Sequence, residues 1–421
     1  MEIQSLQLLH PFEYAHSQPV PLTRPQHFHS FSYGEDRELL VDATNKDASL
    51  RWYKQPVLGC DLRFGYERCV WRPEDIDEGL DALLASLLAR LRDPSAEEAL
   101  SNLLQSTAVI TWRGMATKLL TALYEEREGF EMNVMMVDGC LYLEEYKSPQ
   151  KRKKVMDTTL RLQSYYGYAF ESYCTSEDPN PPQPTTPEEC WSGDVNTNVQ
   201  WCSIVRTSLG DVPMILGGEV DCVREGAGIS EGLDTQDFLE LKTNIVIDSN
   251  RDEINFERYK FLKHYVQSLL LGVPTVIIGF RQDNGVLAGF QSFETLDIPK
   301  LVADKEHVWH ASSILNAGHH IFTHILSSLS QHSQVRTLDE QLTQGVIPAT
   351  DAIPVFRLSF TTANRDGKVL SLRQLTTAEV DQVVKGKTNV RQRAGFVPYE
   401  WVQSIVNRKA KRQATSQQLN Y

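Results

Sequence analysis

Two short stretches decide how this chain reads: Leu216–Val223, LGGEVDCV, and Phe238–Asn244, FLELKTN. Alternate side chains of an extended strand point to the same side, so Glu219 and Asp221 share one face of the first, and Glu240 and Lys242 one face of the second. The flanks are apolar, with Ile215, Leu216, Val220 and Val223 in one and Phe238, Leu239 and Leu241 in the other. Charge inside such strands is costly unless it is paired or bound to metal. Three carboxylates converging with a lysine make an oxygen-donor site for a hard divalent cation, Mg²⁺ or Mn²⁺. Such ions activate water and neutralise charge growing on a phosphate oxygen. The lysine is suited to orienting that water or steadying the charge. Gly217 and Gly218 are expected to let a substrate backbone come close. The plainer alternative is a cross-strand set of salt bridges at a sheet edge. Either pair alone favours that alternative, and the two together favour an active site.

Working outward, helical and strand-like periods alternate. Apolar residues recur at helical spacing over Glu74–Arg92, and helices are also expected over Trp112–Glu126, Lys154–Tyr173, Phe256–Leu271 and Val308–Leu329. Asp138-Gly139 sits at the centre of a predicted hairpin, FEMNVMMVDGCLYLEEY. Strands are expected over Val199–Leu209, Pro213–Val223, Asp237–Asn244 and Thr275–Phe280. VFRLSFTTA, before a turn at Asp366-Gly367, completes the set. Gly272 closes one helix directly before a β-branched strand, which indicates a helix-to-strand crossover and a mixed α/β, or α+β, core. Met1–Leu50 reads as irregular because Pro11, Pro19, Pro21 and Pro25 interrupt it. TSEDPNPPQPTTPEE, after Cys174, reads as a surface insertion at about 175–190.

Further residues fit phosphate chemistry. Glu171, in YYGYAFESY, lies late in a predicted helix and supplies a candidate fourth acid. Arg113 sits at a helix start, where backbone amides already favour anions, and an arginine can take a phosphate bidentately. Lys260, His264 and Gln267 share one helix face. Each has an ordinary alternative: a surface glutamate, a surface ion pair, a polar bridge in the core. His320 and His324, four apart in HHIFTH, lack the glutamate of a zinc-protease helix and read as ordinary helix residues.

The bulk composition sets limits. No stretch is long and apolar enough to span a membrane, and MEIQSLQLLHPFEY lacks the pattern of a secretory signal. Seven scattered cysteines without a CxxC pair argue against a disulfide scaffold or a structural zinc, and suit a reducing compartment. A net charge of −13 sits awkwardly with a nucleic-acid enzyme, since simple coating of a duplex needs a broad basic face. Basic residues cluster locally at Lys147, Lys151–Lys154 and Arg161, and again at Arg408, Lys409, Lys411 and Arg412. They are either a basic rim or solvated surface.

The acid-x-acid and Glu-x-Lys strands, joined by an acid on a helix, resemble the PD-(D/E)XK nuclease core. The ordered set WRG, GYAFE, GGEVDC, LELK and HYVQSLLLGVPTVIIGFR resembles the Rai–DXO family of RNA 5′-end decapping and quality-control hydrolases, over about Ile110–Phe293. Looser similarity extends through RPQHFHSFS and DLRFGYE. The resemblance implies that Glu171, Glu219, Asp221 and Glu240 bind two divalent ions, with the main-chain carbonyl of Leu241 as a further ligand. It implies that Lys242 and Gln267 contact the scissile phosphate or the nucleophile, and that Trp112, Arg113 and Gly114 hold RNA phosphates. Cys202 would lie beside the substrate through its backbone, with Arg24 and Glu67 as outer contacts. RDPSAEEALSNLL and the stretch after Cys174 depart from the family pattern as insertions.

The expected organisation is one catalytic domain over 1–385 and a polar, basic, frayed tail over 386–421. The expected function is metal-dependent hydrolysis at RNA 5′ ends: release of pyrophosphate from 5′-triphosphate, of incompletely methylated caps and of NAD. A 5′-monophosphate would remain for a nuclear 5′–3′ exoribonuclease, itself the expected partner, and the expected location is the nucleus. Two rivals stand beside this reading. One is a DNA nuclease on the same core, and the other is a non-catalytic partner that stabilises an exoribonuclease.

Overall fold

The chain changes sheets between Glu219 and Cys222, and the candidate acids gather around that crossing. The computed structural model describes residues 2–421 apart from 74–75, 147, 149–156, 229–231, 306–307, 365–366, 386–391 and 419–421. Its longer strands are β1 (Glu2–Gln7), β2 (Gln26–Tyr33), β3 (Val109–Trp112), β4 (Phe130–Val137), β5 (Cys140–Glu145), β6 (Gln200–Leu209), β7 (Val212–Glu219), β8 (Phe238–Ile245), β9 (Thr275–Arg281), β10 (Leu287–Glu294), β11 (Phe356–Asn364) and β12 (Gly367–Gln374). The helices that matter here are α1 (Asp81–Leu91), α2 (Arg113–Thr121), α3 (Thr158–Cys174), α4 (Leu262–Leu271), α5 (Ala311–Ser330) and α6 (Tyr399–Gln418).

Among the described residues the larger sheet has ten strands, in the order β1-β12-β11-β4-β5-β3-β7-β6-β2 followed by the short strand Leu39–Leu40. The smaller has six, β10-β9-β8 followed by Cys222–Val223, Trp52–Tyr53 and Thr175–Ser176. Both mix parallel and antiparallel pairs: β7 runs parallel to β3 and antiparallel to β6, and β8 runs parallel to β9. The mixed α/β architecture therefore agrees with the sequence reading.

Alternation along β7 shows how the large sheet is buried on both faces. Met214 and Leu216 belong to one core, with α2, α4 and α5, while Ile215 belongs to another, with α1 and α6. The first core continues beneath the small sheet through Val276 and Ile278, so α4 is wedged between the sheets. The other face of the small sheet, with Leu241 and Ile277, packs on α3 through Phe170. Gly279 makes that approach possible, because a Cβ there would stand 2.5 Å from the Phe170 ring.

Several expectations need correction. Met1–Leu50 is not irregular, since β1 and β2 lie within it. Pro11 opens a short helix and Pro19, Pro21 and Pro25 fall between elements, where a missing N–H costs nothing. The helix expected from Glu74 begins at Asp81, and Trp112 ends β3 rather than opening a helix. Pro213–Val223 is two strands in different sheets. RDPSAEEALSNLL carries its own helix, Glu97–Ser106, which buries Leu100 and Leu104. The expected frayed tail instead contains α6, whose Trp401, Val402, Ile405 and Val406 are buried in the second core. One apolar face outweighs the polar composition that suggested fraying.

The hairpin stands as expected, with Asp138 and Gly139 both at positive φ between β4 and β5. The segment 175–190 is largely exposed and is anchored by buried Pro181 and Cys190. Lys147, Lys151–Lys154 and Asp366 lie outside the described residues. No described helix is long and apolar enough to cross a membrane.

Candidate active site

Glu219 is the last residue of β7, and Asp221 lies two residues on, in the crossing itself. The two acids therefore converge because the chain leaves one sheet and enters another, not because they share a strand face. Asp221 is pinned to β8 by the Leu241 N–H, which donates to Oδ2 at 2.6 Å. On β8, Glu240 and Lys242 do share a face. Lys242 Nζ lies 2.8 Å from Glu240 Oε1 and 3.3 Å from Asp221 Oδ2, and it donates to the Leu241 carbonyl at 2.9 Å. Arg113, the first residue of α2, brings Nη1 to 3.2 Å and 3.3 Å from the two Glu240 oxygens. Glu171 comes from the last turn of α3, which Phe170 seats against the small sheet.

The electrostatics follow from burial. Burial, and then repulsion from Asp221 and Glu219, pushes the Glu171 carboxyl well above its usual range. Glu219 is pushed up to about 7 by burial and by Asp221, against the pull of Arg113 and Lys242. Asp221 is raised by burial despite Lys242. Glu240 goes the other way: burial opposes ionisation, but Lys242 and Arg113 outweigh it and hold the group at about 2. Burial also works against the Lys242 charge, and Asp221 with Glu240 more than restores it. Four carboxylates thus face two cations, and the cations settle on Glu240 and Asp221.

The donor chemistry fits a divalent cation. All four side chains offer hard oxygen ligands, and burial first, then the neighbouring carboxylates, raises Glu171 and Glu219. Among the described residues no three His, Cys, Asp or Glu side chains already stand in chelating positions. Glu240 is turned toward Lys242 and Arg113 and Asp221 toward Lys242, so binding an ion at these two requires the pairs to loosen.

Two clefts meet at Glu219. One, of about 410 Å³, is lined by Arg37, Arg72, Arg113, Trp112, Gly114, Cys202 and Gln267, among others. The second, of about 290 Å³, is lined by Tyr168, Glu171 and Asp221 among others. Gln200 and Glu219 line both. The first cleft sets three arginines beside Asp77, Glu78, Glu145 and Glu219, so its lining is of mixed charge, whereas the second is acidic, with Arg51 its one cation among the described lining residues. Glu240 lies behind them, 1% exposed.

Most of the residues singled out in the sequence come together here: Glu171, Glu219, Asp221, Glu240, Leu241, Lys242, Trp112, Arg113, Gly114, Cys202 and Gln267. Two do not. Arg24 is exposed and pairs with Asp234 at 2.9 Å, Glu67 is exposed in the turn Tyr66–Arg68, and neither lines either of these two clefts. Cys202 stands opposite Glu219 in the sheet, and burial keeps its thiol protonated. Lys260 donates to Asn244 Oδ1 at 2.6 Å, while His264, beside Lys242, has no hydrogen-bond partner for either ring nitrogen among the described residues.

Gly217 and Gly218 both line the first cleft, and side chains of this chain also pack closely against them. A Cβ on Gly217 would meet Leu83 and Trp112, and one on Gly218 would meet Leu271 at 2.7 Å and Arg113 at 3.0 Å. They therefore admit neighbouring side chains of this chain at the wall of the cleft. Of the C-terminal basic run, Lys409 pairs with Asp138 and Lys411 with Glu97, so these charges are spent on α6 docking. Sequence reasoning missed Arg37, Arg72 and Gln200, which carry no local motif and reach the site from a loop and from the start of β6.

A family model described as RAI1 like PD-(D/E)XK nuclease matches residues 23–406. The decapping nuclease RAI1 of Mycosarcoma maydis is 33% identical over 460 aligned positions, covering 92% of this chain and 87% of that protein. The crystal structure of S. pombe Rai1 superposes with a TM-score of 0.65 at 26% identity, over 88% of this chain and 99% of that one. That of Candida albicans Rai1 in complex with pU5-Mn²⁺ gives a TM-score of 0.74 over 96% of this chain and all of that one. At 20% identity it speaks for the fold alone.

Proposed function

The chain belongs to the RAI1 like PD-(D/E)XK nuclease family, and from that premise we propose that it is a metal-dependent decapping hydrolase that converts blocked RNA 5′ ends to 5′-monophosphates. The observation that carries this reading is the convergence of Glu171, Glu219, Asp221 and Glu240 with Lys242 at the junction of the two clefts. The names of its relatives, decapping nucleases in the printed words, support the class of reaction and of substrate.

Glu171, Glu219, Asp221, Glu240 and the Leu241 carbonyl would hold two divalent ions, Mg²⁺ or Mn²⁺. When bound, these ions supply an activated water and charge neutralisation at the phosphate. Lys242 is held firmly protonated, so its part is to donate a hydrogen bond and a positive charge toward the attacked phosphate, not to act as a base. Arg113 and Gln267, in the first cleft, would orient the 5′ phosphates. Trp112 fixes the start of α2 by donating its indole N–H to the Gly79 carbonyl at 2.7 Å, which keeps Arg113 aimed at the junction.

The substrates of this reading are 5′-triphosphate, incompletely methylated cap and NAD-capped RNA. The product suits a nuclear 5′–3′ exoribonuclease as partner, which would place the protein in the nucleus. The rival of a site given over to partner binding alone is disfavoured, because every acid and Lys242 are present and gathered.

The test is to incubate the protein with RNAs differing only in the 5′ group, with Mg²⁺, with Mn²⁺ or with chelator. Metal-dependent release of pyrophosphate, cap dinucleotide or NAD, lost in Glu219→Ala/Asp221→Ala, is the expected result. No product from any RNA with a folded protein overturns the reading.

A further inference from the structure

Glu219 is held from one side by a relay of hydrogen bonds that begins at Glu78. Arg37 donates Nε and Nη2 to the two Glu78 oxygens, both at 2.8 Å. Its guanidinium lies 3.4 Å over the Tyr33 ring, and Nη1 donates to the Asn198 carbonyl at 2.8 Å and to Gln200 Oε1 at 2.6 Å. Gln200 Nε2 then donates to Glu219 Oε2 at 2.9 Å. Gln200 and Cys202 lie two apart on β6, and Cys202 is the cross-strand neighbour of Glu219, so the amide reaches the carboxylate along one sheet face.

The direction of this relay is fixed by chemistry. A guanidinium has donors only, so the amide atom facing Arg37 must be the oxygen. The NH₂ must then face Glu219, which removes the usual ambiguity of an amide. Arg37 is also held at φ +64, a left-handed conformation unfavourable for a side-chain-bearing residue. Such strain persists only where the surroundings over-determine it.

Resting on the metal-hydrolase reading above, we propose that Gln200, fixed in orientation by Arg37, positions Glu219 for the metal by capping one carboxylate oxygen and leaving the other to face the ion. Among the described residues Gln200 is the only side chain that hydrogen-bonds Glu219. A neutral donor suits the place. A lysine would compete with the ion, and a glutamate would add to a charge already in excess. Gln200 is thus a positioning residue, of the kind whose loss commonly weakens metal affinity by about ten-fold or more.

The test measures Mn²⁺ binding by electron paramagnetic resonance for the unaltered chain, Gln200→Leu, Arg37→Lys and the double variant, with kcat and KM on 5′-triphosphate RNA alongside. Mn²⁺ affinity should fall about ten-fold in Gln200→Leu, kcat should fall with it, and KM should stay put. Arg37→Lys, which keeps the charge but loses the fork, should shift the same way, and the double variant should be no worse than Gln200→Leu alone. Unchanged Mn²⁺ affinity in folded Gln200→Leu overturns the inference. So does a raised KM with intact Mn²⁺ binding, which would make Gln200 a substrate contact. Failure of the unaltered chain to bind Mn²⁺ overturns both this inference and the functional reading beneath it.

Discussion

Lys242 Nζ lies 2.8 Å from Glu240 Oε1 across a single intervening residue of β8, and each group fixes the other's charge. Burial disfavours both ions, yet Glu240 is held at about 2 and Lys242 above its ordinary range. The strand period that places them on one face is thus also what keeps Lys242 a permanent donor.

Replacing Lys242 by Met tests this. Glu240 keeps Arg113, but Asp221 loses its cation. The metal-free fold should lose about 3 kcal/mol, and single-turnover cleavage should slow by about 100-fold or more. Denaturant melts with and without Mn²⁺ check the first point, and Mn²⁺ should restore part of the loss because it binds only the folded chain. A variant with unaltered cleavage rate contradicts the assigned role.

The acids divide by pH. Glu219 and Glu171 have raised values in the fold, so between the ordinary carboxylate range and about pH 7 the folded chain binds more protons than the unfolded one. The metal-free fold should therefore lose stability as pH rises through that window. Glu240 has the opposite sign: its contribution is present above the ordinary carboxylate range and is lost only as pH falls toward about 2. An ion must displace the protons on Glu219 and Glu171, so Mn²⁺ affinity should climb between about pH 6 and 8. Calorimetry in two buffers of different ionisation enthalpy reads the proton release directly, and its absence at pH 6.5 defeats the prediction.

Gly218→Ala probes the seating of Arg113. The added methyl would stand 2.7 Å from Leu271 and 3.0 Å from the Arg113 Cβ, with α2 and α4 on either side. Overpacking of this kind costs about 1–3 kcal/mol. Activity should fall further than the stability loss alone explains, since Arg113 must move. Thermal melts and initial rates measured well below the melting temperature separate the two effects.

Where the sequence was legible, the reason is local. The Glu-x-Lys pair rides on one strand with apolar neighbours, and the helix from Phe256 is closed by Gly272 in its left-handed conformation, so both show in a short window. The hairpin at Asp138-Gly139 is legible for the same reason. What was not legible depends on chain reversals that no window contains. Nothing in LGGEVDCV reveals that its two acids belong to the end of one sheet and the path into another. Arg37 and Gln200, more than 160 positions apart, meet only because β6 pairs with β2. Trp401 reads as part of a polar tail until α6 is seen to donate its indole N–H to the hydroxyl of Tyr142 at 2.9 Å.

Arg113 offers the sharpest separation between substrate and metal. Of the three arginines in the first cleft, Arg37 is committed to Glu78 at 2.8 Å and Arg72 lies 3.8 Å from the same carboxylate. Arg113 instead shares Glu240 with Lys242 and is 13% exposed. An ion that takes up the charge of Glu240 would release Arg113 toward the 5′ phosphates. Arg113→Lys keeps the charge and removes the planar fork. KM for 5′-triphosphate RNA should rise about ten-fold, the loss of one charge-assisted bond, while Mn²⁺ affinity should stay within about two-fold, because Glu240 retains two cationic neighbours. If kcat falls and KM holds, Arg113 acts on the reacting phosphate or through Glu240, and the phosphate-holding assignment fails.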